Sequence, residues 1–265
     1  MKSSINCWLR TTLITFGMLF AMSASAKPIR VALLNDAACT DERSREAAWK
    51  VITADPEIAA KRTTAKEMVA ALDEFDVLLF PGGTGSGEAK ALGVEGGKAV
   101  TEAVRNGKGV IGICAGGWLV AEGWNPETSA IDLVNAELYD SDHWARGEQM
   151  IAVSVVSDDK DSSRTMWFEN GPIFAPAKID GLPNYTPLVK YVSDLAAKDA
   201  PKGMMTGRDA VVAAPLGKGR VVAFGPHPEL SPGLNHWLTN AIKWTAKGEG
   251  APAPSAKTVL EGKKE

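Results

Sequence analysis

Short unbroken apolar runs alternate, in the first half of the chain, with longer segments whose apolar positions recur every three or four residues. Arg30 to Leu34 (RVALL), Asp76 to Phe80 (DVLLF) and Val110 to Ile113 read as strands apolar on both faces, with a shorter one over Glu57 to Lys61. Between them, Glu42 to Thr53 carries a stripe of Ala47, Ala48, Val51 and Ile52 and predicts a helix, stopped by Ala54-Asp55-Pro56. Thr64 and Glu67 have capping-box spacing for a helix running to about Phe75. Glu95 to Asn106 predicts a further helix beyond a glycine-rich loop, ended by Gly107 and Gly109. Strands buried on both faces and alternating with helices predict an α/β fold: a flavodoxin-like, doubly wound, mostly parallel sheet with helices on both faces.

The texture changes beyond Asn125. Ile151 to Val156, Leu188 to Val192, Ala210 to Pro215 and Arg220 to Phe224 predict short strands, the last two joined at Leu216-Gly-Lys-Gly219 as a hairpin. These form a small antiparallel β extension. A closing helix over about Gly233 to Lys247 buries Leu234, Trp237, Leu238, Ala241 and Ile242 on one face. Residues 248–265, rich in Pro, Ala, Gly and Lys, read as a disordered tail. Asp158 to Arg164 reads as a solvated turn.

Residues 1–26 stand apart. Lys2 and Arg10 precede the apolar run Thr11 to Met22, and Ala24-Ser25-Ala26 is a small-x-small site. This predicts a cleavable signal peptide, a mature chain beginning at Lys27, and a periplasmic protein with no stable membrane insertion. The whole chain has 29 basic residues; without Lys2 and Arg10, 27 face 32 acidic ones, a net −5. That balance gives no basic footprint for nucleic acid. The mature region, 27–247, is long enough for one domain with a sizeable core.

The chemistry is concentrated in three places. Gly112-Ile113-Cys114-Ala115-Gly116 has the form of a nucleophile elbow, a sharp strand-to-helix turn that exposes one side chain at the sheet edge. A helix start beside the sulfur favours the thiolate. Phe224-Gly-Pro-His227-Pro-Glu229 follows another apolar strand, so His227 can serve as base and Glu229 can orient it. Pro81-Gly82-Gly83 ends a strand at the same edge, where the N–H groups of Gly83 and Ala115 can hold an oxyanion. The Gly82 to Gly87 run lacks a G-K-[ST] ending, which disfavours a nucleotide cradle, and no cofactor is expected. His143, His227 and His236 have no metal-ligand spacing with the cysteines, so no metal is expected. After cleavage only Cys39 and Cys114 remain, and both follow strand ends; a redox-gating disulfide between them is one expectation.

PGG, GICAGG and HPE in this order resemble the class I glutamine amidotransferase-like superfamily. With ENGPIF (Glu169 to Phe174), the chain looks most like the family named for the N-terminal domain of biotin–protein ligase. The resemblance spans roughly residues 29–246. It implies Cys114 as nucleophile, His227 as base, Glu229 as orienting acid and Gly83 with Ala115 as oxyanion donors, Gly82 being an alternative donor. It places Asn170 and Gly171 near the pocket rim; Gly82 and Cys39, which follow strand ends at the same sheet edge, are further pocket candidates. Biotin transfer and ammonia delivery to an attached synthase domain are not expected. The reading is therefore a cysteine-dependent amide hydrolase acting on a small molecule or short peptide. The alternative is a non-catalytic binding or redox-sensing module on the same fold.

Overall fold

The computed structural model describes residues 27–121, 131–157, 162–196 and 200–263. The signal-peptide reading and most of the predicted turn at 158–164 fall outside them. In chain order the elements are β1 (Ile29–Leu34), α1 (Glu42–Thr53), β2 (Ile58–Thr63), α2 (Ala65–Ala70), β3 (Val77–Phe80), α3 (Gly85–Arg105), β4 (Gly109–Ile113) and α4 (Ala115–Leu119). There follow β5 (Ala136–Leu138), β6 (Glu148–Val155), β7 (Ser163–Glu169), β8 (Phe174–Pro176), β9 (Thr186–Tyr191), β10 (Asp209–Leu216), β11 (Gly219–Phe224), α5 (Asn235–Thr245) and α6 (Ala256–Val259).

One sheet runs through the molecule in the order β2-β1-β3-β4-β11-β10-β9-β6-β7, and β5 and β8 branch from β10. Its first five strands are parallel, in the 2-1-3-4-5 arrangement of flavodoxin-like folds. The antiparallel strands extend this same sheet through β11–β10 rather than forming a separate unit. Strand periodicity sorts the core into two layers. Val31, Leu33, Val77, Leu79, Ile111, Ile113, Val222 and Phe224 meet Ala48 and Ile52 of α1 and Trp237, Leu238, Ala241 and Ile242 of α5. The alternate residues Ala32, Leu34, Leu78, Phe80, Val110, Val221 and Ala223 meet Met68 of α2 and Val100 and Val104 of α3. This is why the parallel strands are apolar on both faces.

Local signals act where the sequence places them. Thr64 accepts from the Glu67 N–H, and the Glu67 carboxylate accepts from the Thr64 N–H at 2.8 Å. The helix they start is shorter than predicted, breaking at Ala71 before a 3-10 turn over Leu72–Glu74. The β10–β11 hairpin turns at Gly217-Lys218, with Gly217 at φ +59° as a tight two-residue turn requires.

Three expectations are corrected. The glycine-rich stretch before Glu95 is helical: α3 begins at Gly85 and is broken only at Gly93, with φ 64°. A side chain at position 87 would sit 2.8 Å from the Cys39 Cβ, so glycine here serves close approach rather than loop flexibility. Ser163 and Arg164, assigned to a turn, open β7, which pairs with β6 along its length. Residues 248–263 are not a disordered tail. Ser255 and Thr258 form a capping box on α6, and Ala256, Val259 and Leu260 join the α5 side of the core. Arg220, its guanidinium 4.7 Å from the Trp244 ring, donates to the Gly248 and Ala251 carbonyls. The Pro/Ala/Gly composition hid an apolar pair in a single helical turn.

Leu260 is fully buried, so Leu260→Ala should cost about 2–5 kcal/mol in chemical denaturation. A change within about 0.5 kcal/mol, as for a solvated tail, would contradict this packing.

Candidate active site

β4 ends at Ile113, and the backbone reverses at Cys114 with φ 51° and ψ −101° before α4 starts at Ala115. A non-glycine residue in that conformation is strained by about 1–3 kcal/mol. Its neighbours accommodate the turn because they lack side chains. A Cβ at Gly112 would lie 2.3 Å from the Gly116 carbonyl oxygen, and one at Gly116 would lie 2.3 Å from the Phe80 oxygen.

β11 lies beside β4 with Phe224 opposite Ile113, so the chain following β11 emerges next to the elbow. His227 is held by its backbone, which bridges to Trp167 at the end of β7 with a 2.8 Å N–H to carbonyl bond. Ser231 closes this corner, its hydroxyl donating to the His227 carbonyl and accepting from the Trp167 N–H. The His227 Nδ1 lies 2.7 Å from Glu229 Oε1, and both side chains are buried. Burial opposes an imidazolium, but the Glu229 and Cys114 charges and the Nδ1 hydrogen bond to Glu229 raise the His227 pKa well above the ordinary histidine value.

The Ser44 hydroxyl donates to the same Glu229 Oε1 at 2.7 Å and accepts the Gly82 N–H at 2.8 Å. It therefore ties the carboxylate to the Pro81-Gly82-Gly83 turn. The Gly82 N–H is committed to Ser44, and the residue's missing side chain makes room for the imidazole, whose Cε1 would lie 2.7 Å from a Cβ there. Gly83 and Ala115, by contrast, line a cavity with Cys114 and His227.

That cavity encloses about 600 Å³. Ala37 to Asp41, Gly83 to Ser86, Trp118, Ser141, Trp144, Glu169 and Asn170 complete its wall. Asn170, at φ 52°, swings the chain so that the Glu169 carbonyl faces the sulfur and accepts the Cys114 thiol at 3.1 Å. The Asn170 carbonyl accepts the Trp118 indole N–H, and its side chain accepts the Gly147 N–H. Gly171 lies outside the wall: a Cβ there would be 1.9 Å from the Gly225 oxygen, so it serves packing between β7 and β11. Of the four residues expected at the rim, Cys39 and Asn170 line the cavity, while Gly82 and Gly171 sit behind it. With its thiol turned to the Glu169 carbonyl, Cys114 leaves His227 Nε2 without a hydrogen-bond partner among the described residues.

Cys39 and Cys114 are both free thiols, not a disulfide. Burial, with the charges of Glu88 and Asp36, pushes the Cys39 pKa up to about 12, so it stays protonated at neutral pH. Among the described residues no cluster of His, Cys, Asp and Glu is arranged to hold a metal ion.

Sequence reasoning missed Ser44 and Glu88. Ser44 did carry a signal, being the polar position on the buried stripe Ser44, Ala48, Ile52 of α1. Glu88 sits in the first turn of α3, fully buried, with neither carboxyl oxygen hydrogen-bonded among the described residues. Burial, then the Cys114 charge, raises its pKa well above the carboxylate range.

No protein-family profile and no curated protein matches the chain. Solved structures do. A candidate GMP synthase subunit from Thermoplasma acidophilum is 16% identical, with TM-score 0.45, over 78% of this chain and 88% of that one. The cytoplasmic protein STM1381 from Salmonella typhimurium LT2 is 13% identical, with TM-score 0.48, over 89% of this chain and 100% of that one. A second Salmonella typhimurium cytoplasmic protein, STM3548, is 11% identical, with TM-score 0.46, over 80% and 92%.

Because the Glu88 pKa is raised on folding, the neutral acid's contribution to stability is complete below the unfolded value. It is lost as pH climbs through the folded value. Glu88→Gln should remove that loss, so the variant's Tm should gain on wild type as pH rises above the ordinary glutamate range. His227 is common to both proteins and cancels; parallel Tm curves would show an ordinary carboxyl.

Proposed function

We propose that this protein is a cysteine-dependent amide hydrolase of the class I glutamine amidotransferase-like kind. Its motifs are most similar to those of the biotin–protein ligase N-terminal domain family. The observation that supports this best is the shared opening of Cys114 and His227 on one cavity, with the far ring nitrogen of His227 locked onto a buried carboxylate. Cys114 releases the Glu169 carbonyl, gives its proton to His227 Nε2 and attacks the amide carbon. The oxyanion that forms is received by the N–H groups of Gly83 and Ala115. His227 then protonates the leaving amine, and a water deprotonated by the same imidazole cleaves the thioester. Glu229 keeps the ring in the tautomer that presents Nε2 and stabilises the imidazolium.

The raised His227 pKa supports storage of the abstracted proton. The chain acts on a small molecule or short peptide, which suits a cavity of about 600 Å³. It works in the periplasm after loss of residues 1–26, and intact-mass measurement of the exported protein should give an N-terminus at Lys27. One observation favours a second reading, a ligand-binding module: the thiol donates to a backbone carbonyl instead of to the imidazole.

Iodoacetamide separates the two. In the reduced protein near neutral pH, Cys114 should alkylate at least about tenfold faster than an ordinary thiol, and His227→Gln should remove most of that advantage. An ordinary rate, unchanged in His227→Gln, would favour the binding module. Once a substrate is in hand, Cys114→Ala should lower kcat at least about a thousandfold.

A further inference from the structure

The charge and surface of the cavity bear on what it accepts. Apart from His227, its only formally charged lining side chains among the described residues are Asp41 and Glu169; no lysine or arginine lines it. The Cys114, His227 and Glu229 group adds no positive charge, since an imidazolium is balanced by Glu229 and outweighed once the thiol ionises. Glu169 is partly neutralised from outside by Arg43, which pairs with its carboxylate and lies 4.8 Å over the Trp167 ring. Arg45 does not line the cavity; it donates to the Thr40 hydroxyl at 2.9 Å and lies 3.7 Å from the Glu46 carboxylate.

Asp41 is different. Its Oδ1 caps α1 by accepting the Ser44 N–H at 2.8 Å, and no ion pair engages it among the described residues. Its backbone N–H donates to the Gly82 carbonyl at 2.8 Å, which fixes the carboxylate beside the turn carrying Gly83. An independent feature lies in the same wall. Trp144 is 55% exposed, the most exposed large apolar side chain among the described residues, and its indole opens on this cavity. A carboxylate and an indole face both attract an ammonium ion, whereas a substrate carboxylate would meet two like charges and, apart from His227, no cationic side chain in the wall.

We propose that the substrate is an amide bearing a free primary ammonium group and no carboxylate beside the scissile bond, with Asp41 as the carboxylate that receives the ammonium. This rests on the hydrolase reading of Cys114. It makes Asp41 a specificity residue and sets this cavity apart from one built for a free α-amino acid such as glutamine, whose carboxylate would need a cation.

The charge preference can be read without turnover. Cys114 is labelled in the full mature protein with cationic 2-aminoethyl, neutral methyl and anionic 2-sulfonatoethyl methanethiosulfonate. Rates are followed on the Cys114 peptide by mass spectrometry, separately from Cys39, and divided by those of 2-mercaptoethanol. The cationic reagent should exceed the anionic one by about tenfold or more at low salt, and the preference should shrink with added salt. Asp41→Asn and Asp41→Ser, both good helix N-caps, should each reduce the ratio at least about threefold. A ratio at or below one, or a ratio unchanged in both variants, would overturn the assignment. A fast neutral reaction without charge preference would sink this inference alone. A slow neutral reaction with the preference intact would sink hydrolysis while supporting an ammonium ligand.

Discussion

The backbone reversal at Cys114 is the constraint around which the rest of the site is arranged. A residue with a side chain is held at φ 51° because two flanking glycines let the strand end, the new helix and the neighbouring strand come into backbone contact. Gly116 lies against the Phe80 oxygen of β3 and Gly117 against the Phe224 oxygen of β11, so the elbow is gripped by the strands on either side of β4. Those two strands also lead into the Pro81-Gly82-Gly83 turn and the His227 segment. One local distortion thus fixes three chain segments at a single sheet edge.

Behind it lies a polar chain that runs through otherwise apolar packing. Trp167 holds the His227 backbone, His227 meets Glu229, Glu229 meets Ser44, and Ser44 receives the Gly82 N–H. Each link satisfies a group that would be costly to bury alone. Among the described residues the chain still leaves His227 Nε2 and Glu229 Oε2 without a hydrogen-bond partner, and the same holds for both carboxyl oxygens of Glu88, which avoids the cost of a buried charge by keeping its proton. The Glu169-Asn170-Gly171-Pro172 segment, whose role was opaque in the sequence, docks the β6–β7 hairpin onto the elbow. Its Glu169 carbonyl takes the thiol, and its Gly171 closes onto Gly225.

Much of the fold was legible because its signals are local. Two-faced apolar strands, the Thr64–Glu67 capping box, the glycine-flanked cysteine and the two-residue hairpin turn each declare themselves within a few residues. What escaped depends on contacts distant in sequence. Ser44 is an ordinary helix residue until Glu229, 185 positions away, comes to lie against it. Gly85 and Gly87 look like loop residues until Cys39 presses on the helix they begin. Val259 and Leu260 look like part of a tail until α5 offers them an apolar face. Half the cavity wall comes from Ala37 to Asp41 and Gly83 to Ser86, short segments whose composition alone carries no shape.

The parallel pairing of β4 with β11 has a kinetic consequence. Gly109 is the partner of Arg220, so this ladder closes a loop of 111 residues. Such a long-range contact forms only after its entropy of closure has been met by other structure, and it tends to come late in folding. Until then the thiol and the imidazole belong to separate regions of a fluctuating chain. An incompletely folded molecule therefore keeps the thiol and the imidazole apart, and only the completed sheet brings both to one cavity.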